Sequence, residues 1–347
     1  MRAVALGLAL AASSLPLPKA ASAAETGVAY VSTASGLAMI DLARLEVART
    51  LDLSSAVRGL AVTPDGKYVL AADEASGDVA VVDTAGLAVA RRVPIGKNPE
   101  FMRMQPDGAR AYVTFEPSSP GKPPGKGEKD KDDESGPPAE VAAIDLHAWT
   151  AKSFLTGGRE TEGIEFSPDG KRLSVANEGD DTVTSYDKQT GKLVQTVDLH
   201  ALGSRPRGIK VSPDGTRYVV TMENSDSVIV LDSALKVEKT VSVAKGPYGV
   251  AFDRSGRRLF VAAARARMLQ VFDAQTFQKL ADIPVGERCW HFSLTPDEAY
   301  LLVACGRSNE LRVVDAKSYQ PVKSISGLKL AWGVVTYPKA SGSLDAP

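Results

Sequence analysis

Histidine and cysteine are scarce in this chain, three and two respectively among 347 residues. His147, His200 and His291 stand at no metal-ligand spacing to one another or to Cys289 and Cys305, so no metal site is expected. Without a C-x-x-C-H run, covalently attached haem is excluded as well. Excess charge of either sign is missing: 41 basic residues face 42 acidic ones. That balance removes the electrostatic reason to expect nucleic acid or an anionic membrane as a partner. There is no phosphate-cradling glycine loop and no G-x-S-x-G nucleophile elbow. Long apolar runs are also absent. The longest, Ala3 to Leu15, is about 13 residues where a membrane span needs ~20, so no membrane insertion is expected.

That short run reads instead as the apolar region of an export signal. Arg2 precedes it, Pro16 and Pro18 break it, and Ala21-Ser22-Ala23 matches the small-x-small cleavage pattern. Residues 1–23 are expected to be a signal peptide delivering the protein to the periplasm; the alternative is an N-terminal anchor that is never cleaved.

What the chain has in abundance is repetition. A turn motif recurs as T-P-D-G at Pro64, Q-P-D-G at Pro106, and S-P-D-G at Pro168 and Pro213. It decays to D-R-S-G at Arg254, T-P-D-E at Pro296 and Y-P-K at Pro338. The steps are 42, 62, 45, 41, 42 and 42 residues. A second motif, a short apolar strand ending in aspartate, recurs at Asp41, Asp83, Asp145, Asp187, Asp232, Asp273 and Asp315. Each unit holds short runs rich in Val, Leu and Ala, bounded by Gly, Pro, Asp or Ser, which predicts four strands. The Pro-Asp-Gly positions and terminal aspartates are read as turn-formers rather than catalytic groups. Seven copies of a four-stranded unit predict an all-β, seven-bladed β-propeller.

The phase of the repeat adds a topological expectation. The chain past the signal begins on a second strand, near Val28, and ends on a first strand, Gly333 to Tyr337. The C-terminal strand should therefore complete the N-terminal blade and remove the open edge of the ring. The propeller is assigned to residues 24–340 and a flexible tail to 341–347. The one anomalous step is due to an insertion, residues 117–139, rich in Pro, Gly, Lys and acidic residues and without large apolar ones, which predicts a disordered loop.

The units resemble the YVTN-type propeller repeat over nearly all of the chain past the signal. N-P-E-F at Asn98–Phe101, E-G-I-E-F-S-P-D-G-K at Glu162–Lys171 and the block from V-G-E-R-C-W-H-F to L-R-V-V-D near the C-terminus look more like one subgroup. These are propellers associated with PQQ-dependent alcohol catabolism, related to the cytochrome d1 type. The resemblance implies a periplasmic accessory protein of a quinoprotein dehydrogenase or its cytochrome c. It does not imply a bound cofactor: the tryptophan-rich repeats of PQQ-binding propellers are absent, and three scattered histidines do not supply a haem d1 site. No cofactor is expected.

In a propeller the first strand of each blade lines the central channel, so equivalent positions form rings. Six residues before each turn position stand Arg58, Glu100, Glu162, Arg207, Tyr248, Trp290 and Trp332. Four contiguous charged residues and three contiguous aromatic ones make a two-sided channel mouth, suited to a small amphiphilic ligand or a peptide, and equally to a salt-bridged entrance. His291 takes the place of a glycine usual at its repeat position and joins this candidate site. The second-to-third-strand loops should open on the same face, bringing Asp73, Glu74, Glu116, Asn177, Glu178, Glu223, Asn224, Arg265, Arg267 and Arg307.

Cys289 and Cys305 are spaced symmetrically about the turn at Asp297. A hairpin in regular register would set them opposite one another, within reach of a disulfide in the oxidising periplasm. The alternative is two buried thiols in a slipped register.

The repeat fixes fold more firmly than function. The expectation is a non-catalytic binding protein linked to quinoprotein alcohol oxidation. The alternatives are a lactonase-like hydrolase, an activity that related seven-bladed rings host, and a structural or adhesive propeller. Hydrolysis would need a base at the channel, and Glu100 and Glu162 are the only ring carboxylates.

Overall fold

The computed structural model describes residues 27–117 and 137–345. The expected signal peptide, and all but the ends of the expected 117–139 loop, lie outside them. The described residues form seven antiparallel sheets of four strands each, arranged as a ring. Blade two shows the pattern: Val57–Val62 innermost, then Tyr68–Asp73, Asp78–Asp83 and Ala88–Pro94. In the first blade the order is Val334–Tyr337, Val28–Thr33, Gly36–Asp41, Glu46–Asp52. The register Val28↔Tyr337 to Val31↔Val334 closes the ring through the C-terminal strand, as the repeat phase predicts.

The recurring motifs act locally. At Pro64-Asp65-Gly66 the Asp65 carboxylate accepts from the Thr63 hydroxyl at 2.6 Å and the Lys67 amide at 3.1 Å, and Gly66 supplies φ +68°. At the end of a third strand, Asp145 accepts the His147 and Ala148 amides at 2.9 and 2.8 Å, turning the chain into the outer strand. The middle strands bury both faces, which explains their continuous Val, Ala and Leu runs. Leu302, Ala304 and Leu311 of blade seven, for instance, pack against Ala29, Val31 and Ala38 of blade one. The outer strands face solvent and are polar.

Around the channel the inner strands crowd. A Cβ on Gly59 would come within 2.3 Å of the Glu100 carbonyl oxygen, and one on Gly208 within 2.6 Å of that of Tyr248. Only glycine lets neighbouring inner strands approach so closely. In blades three and seven the corresponding residues are Phe101 and His291. Their side chains meet across the channel with ring centroids 6.1 Å apart.

The tail departs from expectation. Residues 341–345 do not trail into solvent: they fold back from Pro338 into the lower end of the channel and run beside the inner strand Cys289–Leu294. Leu294 donates its amide to Ser341 at 2.8 Å, Gly342 bridges Ser293, and Ser343 donates to the Phe292 carbonyl at 2.9 Å. Leu344 is 1 % exposed and Asp345 5 %. A seven-bladed ring leaves an axial space, and this segment fills it.

Candidate functional site

Three layers are stacked down the channel. The upper one, at the end opposite the Pro-Asp-Gly turns, is a mouth of charged groups. Arg58 is ion-paired with Glu100 and lies 3.5 Å from Glu74. Arg207 is ion-paired with Glu162 and Glu178, and reaches Glu223 at 2.7 Å. Arg265 binds the other oxygen of Glu223 at 2.9 Å, and Arg205 pairs with Glu178. The ring residues come from inner strands, and Glu74, Glu178, Glu223 and Arg265 from the loops beside them. The Arg207 guanidinium lies 4.8 Å over the Tyr248 ring, and the Tyr248 hydroxyl donates to Glu162 at 3.3 Å.

Burial at this mouth separates its carboxyls. Burial raises Glu223, but Arg207 and Arg265 outweigh it and hold the group at about 2. Glu100 goes the other way: burial, resisted by Arg58 and assisted by Glu162, pushes it up to about 7. Glu116 lies far above the ordinary carboxylate range, through burial first and then the charges of Glu100, Glu162 and Glu160. It follows the strand paired to that of Glu100, through Pro99↔Phe115, and its amide donates to the Asn98 carbonyl at 3.2 Å. Asn98 is 2 % exposed, yet neither of its side-chain amide atoms has a partner, and Glu116 Oε1 has none either. A buried polar atom left without a partner costs free energy, so these atoms are ones that water or another polar group would satisfy.

The middle layer is an aromatic floor of Phe101, Tyr248, His291 and Trp332. His291 is 4.2 Å from Trp332 and 5.3 Å from Tyr248, centroid to centroid. Burial first, then Lys210 and Arg207, drive its imidazole down to about 3, so it is neutral. The lower layer is ionic: Arg103, Glu165 and Lys210, joined by Asp345 of the tail. Lys210 lies 3.6 Å from Glu165 and donates to the Asp345 carbonyl at 3.4 Å. Burial, followed by Arg103, lowers its ammonium to about 7.

Of the residues singled out from sequence, Arg58, Glu100, Glu162, Arg207 and Tyr248 gather at the mouth, with Trp332 and His291 directly beneath. Trp290 leans outward: its ring rests where a Cβ on Gly306 would come, at 2.0 Å, a place that only glycine leaves open. Cys289 and Cys305 are opposite one another and disulfide-bonded at this rim. The ring reading omitted Asn98 and the lower layer of Arg103, Glu165 and Lys210. The lower layer had a visible signal: three charges on inner strands, each three residues beyond a ring position. Among the described residues no group of three or more His, Cys, Asp or Glu is placed to hold a metal ion.

Comparison with known proteins changes the functional expectation. Residues 139–236 match the family model "Lactonase, 7-bladed beta-propeller". No curated protein matches the sequence. The periplasmic gluconolactonase of Pseudomonas aeruginosa is similar in structure, with TM-score 0.71 and 20% identity over 90% of this chain and 99% of that one. A candidate 6-phosphogluconolactonase of Bacteroides fragilis gives TM-score 0.71 and 17% identity over 91% and 99%. A Desulfotomaculum acetoxidans protein of unknown function gives 0.74 and 16% over 90% and 99%. At these identities the likeness is one of fold. The expectation of a non-catalytic accessory of quinoprotein alcohol oxidation is corrected by the lactonase match, which favours the hydrolase alternative. The resemblance to seven-bladed propeller repeats stands.

Proposed function

We propose that this protein is a lactone hydrolase whose site is the channel mouth. The observation that carries the reading is the pair of buried carboxyls with opposite roles open to them at neutral pH. Glu100, held at about 7 beside Arg58, is available as a base. Glu116, its carboxyl pushed well above the ordinary carboxylate range by burial and the neighbouring acidic groups, is available as an acid.

In this reading Glu100 takes a proton from water as its oxygen attacks the lactone carbonyl carbon. Arg58 and Arg207 stabilise the tetrahedral oxyanion. As the oxyanion collapses, the ring C–O bond breaks and the departing alkoxide oxygen takes the proton of Glu116, giving a hydroxy acid. The unpartnered Asn98 amide supports binding of a hydroxylated substrate. Each mouth arginine already faces a carboxylate, which favours an uncharged sugar lactone over a phosphorylated one. The match to the lactonase family model supports the same class. The Cys289–Cys305 disulfide supports an oxidising compartment, to which the N-terminal signal would export the chain.

The test is hydrolysis of D-glucono-1,5-lactone by the purified protein, followed by acid release above the spontaneous rate. Glu100→Gln and Glu162→Gln should each reduce it; if both variants retain full activity, the site is elsewhere.

A further inference from the structure

The buried histidine at the floor has one nitrogen whose role the hydrolytic steps do not use. The Ser343 hydroxyl, brought into the channel by the C-terminal segment, has three neighbours. It accepts from the Phe292 amide at 3.0 Å, and it lies 3.1 Å from the Phe292 carbonyl oxygen, to which it can only donate. We assign its single proton to that carbonyl, which also accepts from the Ser343 amide at 2.9 Å. With that assignment the third neighbour, His291 Nδ1 at 3.0 Å, is the donor. The imidazole is neutral, so its one proton sits on Nδ1 and Nε2 carries a bare lone pair. That atom is fully buried and has no partner.

Its surroundings place it next to the mouth. The ring is enclosed by Phe101, Tyr248 and Trp332, and Tyr248 links it upward to Glu162. Aromatic faces grip a sugar ring but accept few hydrogen bonds from it, and a buried acceptor among them selects for a hydroxyl. Resting on the hydrolase reading, we propose that His291 Nε2 accepts a hydrogen bond from a hydroxyl group of the bound lactone, and that Ser343 is a positioning residue that fixes the tautomer. His291 is then a specificity determinant rather than a base.

The experiment compares kcat/KM for D-glucono-1,5-lactone with that for δ-valerolactone, which has the same ring and no hydroxyls, using the full chain. In His291→Phe the preference for the hydroxylated lactone should fall about tenfold, the size of one lost hydrogen bond. His291→Gln, whose amide oxygen can reach the Nε2 position, should restore most of it. Nitrogen-15 NMR of the three histidines, with His291→Gln for assignment, should show the His291 proton on Nδ1 in the wild type and lose that preference in Ser343→Ala. An unchanged preference in His291→Phe, or a wild-type proton on Nε2, overturns the proposal. If the wild type hydrolyses neither lactone, the hydrolase reading falls. Binding of D-glucono-1,5-lactam, followed by tryptophan fluorescence, then decides the hydrogen bond: about tenfold weaker binding by His291→Phe supports it, and equal affinity or no wild-type binding overturns it.

Discussion

Arg103 donates to both carboxylate oxygens of Glu165, at 2.9 and 3.2 Å, deep inside the channel where neither side chain reaches solvent. Glu165 also faces Lys210, so it neutralises two buried cations at once. Glu165→Gln keeps the shape and removes the charge. Breaking a buried pair in this way costs roughly 3–5 kcal/mol. Chemical denaturation should register a loss of that order, and a loss below about 1 kcal/mol would count against the lower layer as a structural unit.

The C-terminal strand and the segment after it have separable roles. Deleting residues 333–347 removes the strand paired with Val28–Val31, so the ring should lose cooperative unfolding altogether. Deleting 341–347 keeps that strand but strips Leu344 and Asp345 from the channel, leaving Arg103 and Lys210 less well compensated. The shorter deletion should lower the melting temperature while preserving a single transition. Calorimetry of the two truncations tests the distinction, and equal melting of the long deletion and the wild type would exclude closure by the C-terminal strand.

The Cys289–Cys305 bond closes a loop with a sequence separation of 16. A loop of that length predicts about 3 kcal/mol of stabilisation in the chain-entropy account. Cys289→Ala/Cys305→Ala should therefore melt lower, and thiol titration of the non-reduced protein should find no free sulfhydryl even in denaturant.

The pH dependence follows from Glu100. Its folded value of about 7 lies above the ordinary 4.5, so the folded chain holds this proton more tightly than the unfolded one. Its contribution to stability is full below about 4.5 and is lost as pH rises through 7. Hydrolysis needs the ionised form, so kcat/KM should climb to a plateau across a midpoint near 7. In Glu100→Gln that limb should vanish and the rate fall by about 10²–10⁴. A limb that persists in the variant assigns the base to another residue.

Much of this architecture can be read from the amino-acid order, for a physical reason. Turn residues, strand-ending aspartates and short apolar runs act locally, so their repetition carries blade number and phase. The mouth residues follow from their shared place in the repeat. The Cys289–Cys305 pairing does not follow from hairpin symmetry alone: the register Leu294↔Leu301 would set Cys289 against Gly306, and the bulge between Cys289 and His291 shifts it to Cys305. What escapes is set by the closed ring. The segment 341–345 reads as a polar tail because Ser, Gly and Asp are ordinary tail residues. It is buried because ring closure creates an axial space with Arg103 and Lys210 on its wall. The outward turn of Trp290 is a rotamer choice against Gly306 that its place in the repeat does not display. The likeness of repeats favoured an accessory role, yet the same scaffold carries unrelated activities, so the evenly spaced motifs could not select among them.

The glycines that let neighbouring inner strands touch at Gly59 and Gly208 give way to Phe101 and His291 in two blades that face each other across the axis. The molecule is therefore sevenfold in its backbone and asymmetric along its axis. The two bulky side chains close the axial space from opposite walls, between the charged layer above and the ionic layer below. A backbone of equal blades thus carries a lining in which no two blades are interchangeable.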